Sequence, residues 1–74
     1  MIELLVKYIQ DKGYEVDVLP GSLIIRKQVG EEICSVGWGI FKEDLRPDME
    51  EVLYYLAQKR MDVIEEVIKK ERVN

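Results

Sequence analysis

The apolar residues between positions 14 and 40 follow an alternating pattern that two turns divide into three segments. Val16 and Val18 alternate with charged residues, which is typical of a strand with one buried face. Pro20-Gly21 and Gly30-Glu31 supply the residue types that tight turns require. The pattern therefore predicts a three-stranded antiparallel meander, with strands over residues 14–19, 22–29 and 32–41.

The two turns can be checked against each other, because directly opposed residues on paired strands must share a face. The first turn sets Val16 against Ile25, and the second sets Ile25 against Val36. Both hairpins therefore agree. The predicted buried face consists of Tyr14, Val16, Val18, Leu23, Ile25, Cys34, Val36, Trp38 and Ile40. The predicted outer face consists of Glu15, Asp17, Ile24, Arg26, Gln28, Ser35, Gly37 and Gly39.

The sequence leaves two details of this sheet undecided, the environment of Lys27 and the length of the first loop. Lys27 falls on the apolar face, near the end of the sheet, where its aliphatic stem can reach water. A Pro-Gly pair suits a type II turn, which splays a two-residue hairpin. The first loop is therefore either two residues long or one to two residues longer.

Helical spacing of apolar residues flanks the sheet on both sides. Ile2, Leu5 and Ile9 predict a helix over residues 2–12, which Gly13 ends because glycine adopts the left-handed conformation without a steric penalty. Asp48 and Glu51 have the spacing of a capping box and predict the start of a second helix over residues 48–72.

The second helix is long for so small a chain. A helix that starts at Asp48 and continues almost to the end of the chain is about 39 Å long, whereas a compact globule of this size is about 29 Å across. The helix must therefore overhang, bend near residues 60–62, or serve a partner. If it self-associates, we expect Val63, Val67 and Met61 in the dimer seam.

These elements predict an α+β fold, a two-layer α-β-β-β-α sandwich with both helices on one face of the antiparallel meander. With 74 residues, we expect a single domain over 1–74. The chain has no histidine and one cysteine, so imidazole-based catalysis, histidine-containing zinc sites and an internal disulfide are excluded. We predict no enzyme activity, no cofactor and no metal.

Composition also bears on location and partners. The net charge of −4 repels phosphate backbones and anionic lipid, so a nucleic-acid partner is disfavoured. No apolar run approaches the roughly 20 residues of a membrane span. Without a basic-then-apolar leader, we expect a cytoplasmic protein.

The order helix, three antiparallel strands, helix resembles the double-stranded-RNA-binding domain in topology alone. That resemblance implies a lysine cluster at the start of the second helix for phosphate contacts, where this chain has Arg46 followed by Asp48, Glu50 and Glu51. A nucleic-acid-binding alternative would use the basic residues Arg26, Lys27, Arg46, Lys59 and Arg60. In size, charge and element order the chain also resembles small acidic proteins of phages and mobile elements, some of which inhibit nucleic-acid enzymes.

Several surface features are candidates for an interaction site. Gly37 and Gly39 flank Trp38 and leave bare backbone on the outer face, bordered by Ile24, Ile33 and Phe41. The alternative is a bulge or strong twist that wraps Trp38 into the core, where we expect that ring. A buried structural thiol is expected at Cys34.

The second helix and the segment before it add further candidates. Glu43 and Asp44 begin an acidic cluster that either docks a basic partner or only caps the helix. Tyr54 and Tyr55 are adjacent and cannot both face the core, so one is exposed or at an interface. We predict a small interaction or regulatory module that binds protein and forms a homodimer through its second helix or open sheet face. The candidate surface is Ile24, Arg26, Ile33, Gly37, Gly39, Phe41, Glu43, Asp44, Tyr54, Tyr55, Met61, Val63 and Val67.

Overall fold

The computed structural model describes residues 1–72 and shows the predicted α+β architecture. Two α-helices and three strands follow one another in the predicted order. Short 3₁₀ turns at Lys42–Asp44 and Pro47–Met49 connect the sheet to the second helix. The elements are α1 (Ile2–Asp11), β1 (Glu15–Leu19), β2 (Ser22–Val29), β3 (Glu32–Gly39) and α2 (Glu50–Arg72).

The sheet is an antiparallel meander in the order β1-β2-β3. Val16 lies opposite Ile25, and Ile25 lies opposite Val36, so the predicted register is confirmed in both hairpins. The first loop is two residues long, because Leu19 pairs directly with Ser22. Gly21 has φ 75°, the value that the third position of a type II turn requires.

The core lies between the inward face of the sheet and both helices. Trp38 is only 5% exposed, which confirms its prediction as a core residue. Val18 points to the same face but is 56% exposed, because it lies near the end of the sheet and lines an open groove. The buried residues are Leu5, Ile9, Tyr14, Leu23, Ile25, Trp38, Ile40, Leu53, Ala57, Met61, Ile64 and Ile68.

The start of α2 differs from the predicted capping box. The 3₁₀ turn Pro47–Met49 comes first, and its N-cap Arg46 makes no capping hydrogen bond with its side chain. The Asp48 carboxylate instead accepts a hydrogen bond from Arg46 Nε at 3.1 Å. Pro47 lacks an N–H and has a fixed φ, which suits the first position of a helical turn. The prediction of an N-cap at Asp48 is therefore wrong.

α2 is one continuous helix, so the alternative of a break near residues 60–62 is wrong. Its residues follow one another without interruption from Glu50 to Arg72. The molecule measures 42 × 21 × 19 Å along its principal axes, and a helix of 23 residues is about 35 Å long. The length of α2 therefore accounts for the elongated shape.

Candidate interaction surface

β3 forms one of the two edges of the sheet. Ile40 N donates to Gly21 O at 3.1 Å, so the backbone groups of Ile40 point toward β2. Because the two edges of an antiparallel strand alternate residue by residue, the backbone N–H and C=O groups of every second residue point away from β2. The residues whose backbone groups face outward, called the β3 edge below, are Ile33, Ser35, Gly37 and Gly39.

The side chains of the β3 edge lie on the sheet face that the helices leave uncovered. Ile33 is 64% exposed, and Phe41 beyond the end of β3 is 68% exposed. A side chain at Gly37 would meet Ile24 Cδ1 at 3.6 Å, whereas a side chain at Gly39 would extend into open space. The prediction that Phe41 belongs to the third strand is wrong, because β3 ends at Gly39 and a 3₁₀ turn follows.

Arg26 occupies the middle of this outer face and is already paired. Its guanidinium forms ion pairs with Asp17, and with Glu15 at 3.2 Å from Nη2 to Oε2. The hydrogen bond to Asp17, followed by that to Glu15, raises the pKa of Arg26. The cross-strand pair of Glu15 and Arg26 follows from the register, but the diagonal contact with Asp17 was not predicted.

Tyr54 and Tyr55 take different roles. The rings of Tyr54 and Tyr8 stack with centroids 4.5 Å apart, which joins α2 to α1. Tyr54 Oη donates to Glu50 at 2.9 Å, and this hydrogen bond raises the pKa of Tyr54. Tyr55 is 61% exposed, so one of the two tyrosines is exposed, as predicted.

A row of exposed apolar residues lies along the side of α2 that faces away from α1. Val52, Val63 and Val67 are 45%, 52% and 41% exposed, and Leu56 on the same side is half-buried. These four residues are called the α2 flank below. Met61 was predicted in this row, but it is only 1% exposed and belongs to the core, so that prediction is wrong. The reason is geometric, because Met61 and Val63 lie about 200° apart around a helix.

The acidic segment before α2 is dispersed along two 3₁₀ turns. Glu43 and Asp44 lie in the first turn. Asp48 forms an ion pair with Arg46, and Glu50 accepts a hydrogen bond from the hydroxyl of Tyr54. Within residues 1–72, no three side chains of the metal-binding types come together as a metal site.

Sequence reasoning missed a polar cluster at the edge of the core. Lys27 Nζ lies 2.6 Å from Glu65 Oε1 and 5.0 Å from the centroid of the Tyr14 ring. Tyr14 Oη donates to the same Glu65 oxygen at 2.5 Å. Burial, followed by this hydrogen bond, raises the pKa of Tyr14. The one signal for this cluster in the sequence was Lys27, a charged residue on the predicted apolar face. Its partner Glu65 lies on α2.

An apolar groove of about 230 Å³ was also missed. It lies at the open end of the two layers, where the first turn of the sheet meets the start of α1 and the segment before α2. No local pattern in the sequence marks it, because its walls come from three separate parts of the chain. Its lining residues are Ile2, Val18, Leu19, Gly21, Ser22, Leu23, Ile40, Lys42 and Leu45.

The basic residues that a nucleic-acid interface would need are engaged elsewhere. Arg26, Lys27 and Arg46 form ion pairs. Lys59 lies 5.2 Å from the centroid of the Tyr55 ring. The Arg60 guanidinium lies 4.6 Å from the centroid of the Trp38 ring and donates to Leu56 O at 3.0 Å.

Comparison of the chain with protein-family models, with curated proteins and with solved structures finds no match. None of the helices described between residues 1 and 72 combines the length and the apolar character that crossing a membrane requires.

Proposed function

We propose that this chain is a small non-enzymatic interaction module that self-associates through the β3 edge and the α2 flank. The observation that carries this proposal is their proximity on one side of the molecule. Tyr54 and Gln58 on α2 contact Tyr8 of α1, whereas Arg60 on the other side of α2 covers Trp38 of β3. The α2 flank therefore borders the β3 edge.

The β3 edge lacks the features that normally prevent a strand from pairing with another chain. Such features are a short strand, lysine or proline on the edge, or a covering helix or loop. β3 has eight residues and contains neither lysine nor proline. β1, at the other edge of the sheet, has only five residues. The availability of β3 supports strand addition at this edge.

The α2 flank supplies the apolar area that backbone hydrogen bonds alone do not. Exposed apolar residues that cluster are typical of interaction sites, whereas single ones are ordinary. Val52, Val63 and Val67 lie on one side of a helix next to an open strand edge. The pairing of Arg26, Lys27 and Arg46 with carboxylates favours a protein partner over a nucleic acid.

Sedimentation equilibrium of the purified chain tests this proposal. We expect a mass that rises with concentration to twice that of one chain. The substitution Ser35→Pro removes an N–H that faces outward and places the proline ring in the edge, without removing a hydrogen bond to β2. We expect Ser35→Pro to remain monomeric and the matched control Ser35→Ala to associate as the wild type does.

A second variant keeps the test independent of any folding defect in Ser35→Pro. Val63→Glu introduces a charge at an exposed helical position, so the fold is expected to persist while self-association weakens. Val63→Ala is its matched control. A wild-type chain that sediments as a monomer at all concentrations would contradict the proposal.

A further inference from the structure

We infer that two copies of this chain pair their β3 strands antiparallel, with Val36 on the two-fold axis, so that two three-stranded sheets form one sheet of six strands. This inference rests on the self-association proposed above and specifies its register. In a symmetric pair of this kind, each residue i faces residue j of the second copy and the reverse. The register is then defined by which residue lies on the axis.

The length of β3 selects Val36. Its outward-facing residues are Ile33, Ser35, Gly37 and Gly39, and they are centred on position 36. With Val36 on the axis, Ile33 pairs with the partner's Gly39, and Ser35 pairs with the partner's Gly37. Every outward backbone group of β3 then finds an acceptor or donor. If the axis lay one residue to either side, one outward-facing residue would have no residue of the partner's β3 opposite it.

The outer face of this pairing is complementary in volume. Ile33 is 64% exposed, and a side chain at Gly39 would meet no atom within 4 Å. Placing Ile33 opposite the partner's Gly39 therefore sets the largest side chain of the β3 edge beside the emptiest position. Such cross-strand neighbours stabilise a pair, because the large side chain covers backbone that glycine leaves bare.

The same axis also aligns the two α2 helices. Arg60 lies over Trp38, and Glu71 lies beside Glu32, whose hydrogen bond raises the pKa of Glu71. α2 thus runs antiparallel to β3, and Val36 lies level with the part of α2 near Val63. With Val63 near the axis, the exposed Glu66 lies at the level of the partner's Lys59, which is exposed on the same side of its helix. Opposite charges therefore meet across the interface, which favours this orientation.

Disulfide trapping tests the register. The native thiol is first removed by Cys34→Ser, and single cysteines are then introduced by Val36→Cys, Ser35→Cys or Gly37→Cys. Two residues that face each other across the axis at a non-hydrogen-bonded position have Cα atoms about 4.5 Å apart, within the range of a disulfide. We expect the Val36→Cys protein to form covalent dimers at least about tenfold faster than the other two, because their thiols are not opposed.

The outcomes separate the register from self-association itself. Faster trapping through Ser35→Cys or Gly37→Cys, with the reduced protein still dimeric, would overturn the register and leave the proposed function intact. A reduced wild-type protein that sediments as a monomer would overturn both.

Charge reversal on α2 provides a second readout that does not need a cysteine. Glu66 and Lys59 are exposed, so substitutions there are expected to preserve the fold. We expect Glu66→Lys and Lys59→Glu each to weaken dimerisation about threefold, and the double variant to recover most of the loss. Equal weakening in the double variant would overturn the alignment of the helices.

Discussion

At the scale of single residues, Tyr14 makes the stability of the fold depend on pH at alkaline values. The pKa of Tyr14 is raised in the folded chain by burial and by its hydrogen bond to Glu65. An unfolded tyrosine titrates near pH 10. The stabilisation that Tyr14 contributes is therefore complete below about pH 10 and is lost as the pH rises toward its folded pKa.

Substitution of Tyr14 by phenylalanine tests this dependence. At pH 7, Tyr14→Phe should lower the free energy of unfolding by about 1 kcal/mol, because the hydrogen bond to Glu65 is lost. Above about pH 10, the difference between Tyr14→Phe and the wild type should shrink. Urea unfolding at one fixed protein concentration from pH 7 to 11 measures both effects, with Tyr55→Phe as the exposed control. A difference that stays constant with pH would contradict the account.

At the scale of elements, the contact between α1 and α2 depends on one of two adjacent tyrosines. Tyr54 stacks on Tyr8, whereas Tyr55 is 61% exposed. We expect Tyr54→Ala to lower the free energy of unfolding by about 2 kcal/mol and Tyr55→Ala by less than about 0.5 kcal/mol. Urea unfolding of the two variants under identical conditions compares them directly. Equal losses of unfolding free energy in the two variants would show that the stacking of Tyr54 on Tyr8 adds no stability.

The elements also show how far the sequence could predict this molecule. The strand register was predictable because the two turns set which residues lie opposite each other, and the period-two alternation then places Val16, Ile25 and Val36 on one face. Lys27 and Glu65 are 38 residues apart, and no local pattern indicates their contact. The start of α2 was misplaced because Asp48 pairs with Arg46, a choice that the capping spacing does not reveal.

At the scale of the whole molecule, the two faces of the sheet differ in what covers them. Both helices cover one face of the sheet, and the other face carries Arg26 with its two carboxylate partners. β3 is both the longer edge strand and the one bordered by the α2 flank. A symmetric pair through this side would leave the outer face and the apolar groove accessible.

Amide hydrogen exchange at two protein concentrations tests whether the β3 edge pairs with a second copy of the chain. In a single chain, the N–H groups of Ser35 and Gly37 point away from β2, as do those of Val16 and Val18 on the opposite edge of the sheet. If β3 pairs with a second copy, Ser35 and Gly37 should exchange at least about tenfold more slowly in the concentrated sample, with Val16 and Val18 unchanged. Exchange at Ser35 and Gly37 that is equally fast at both concentrations, in a sample shown to span the dimerisation range, would contradict the account.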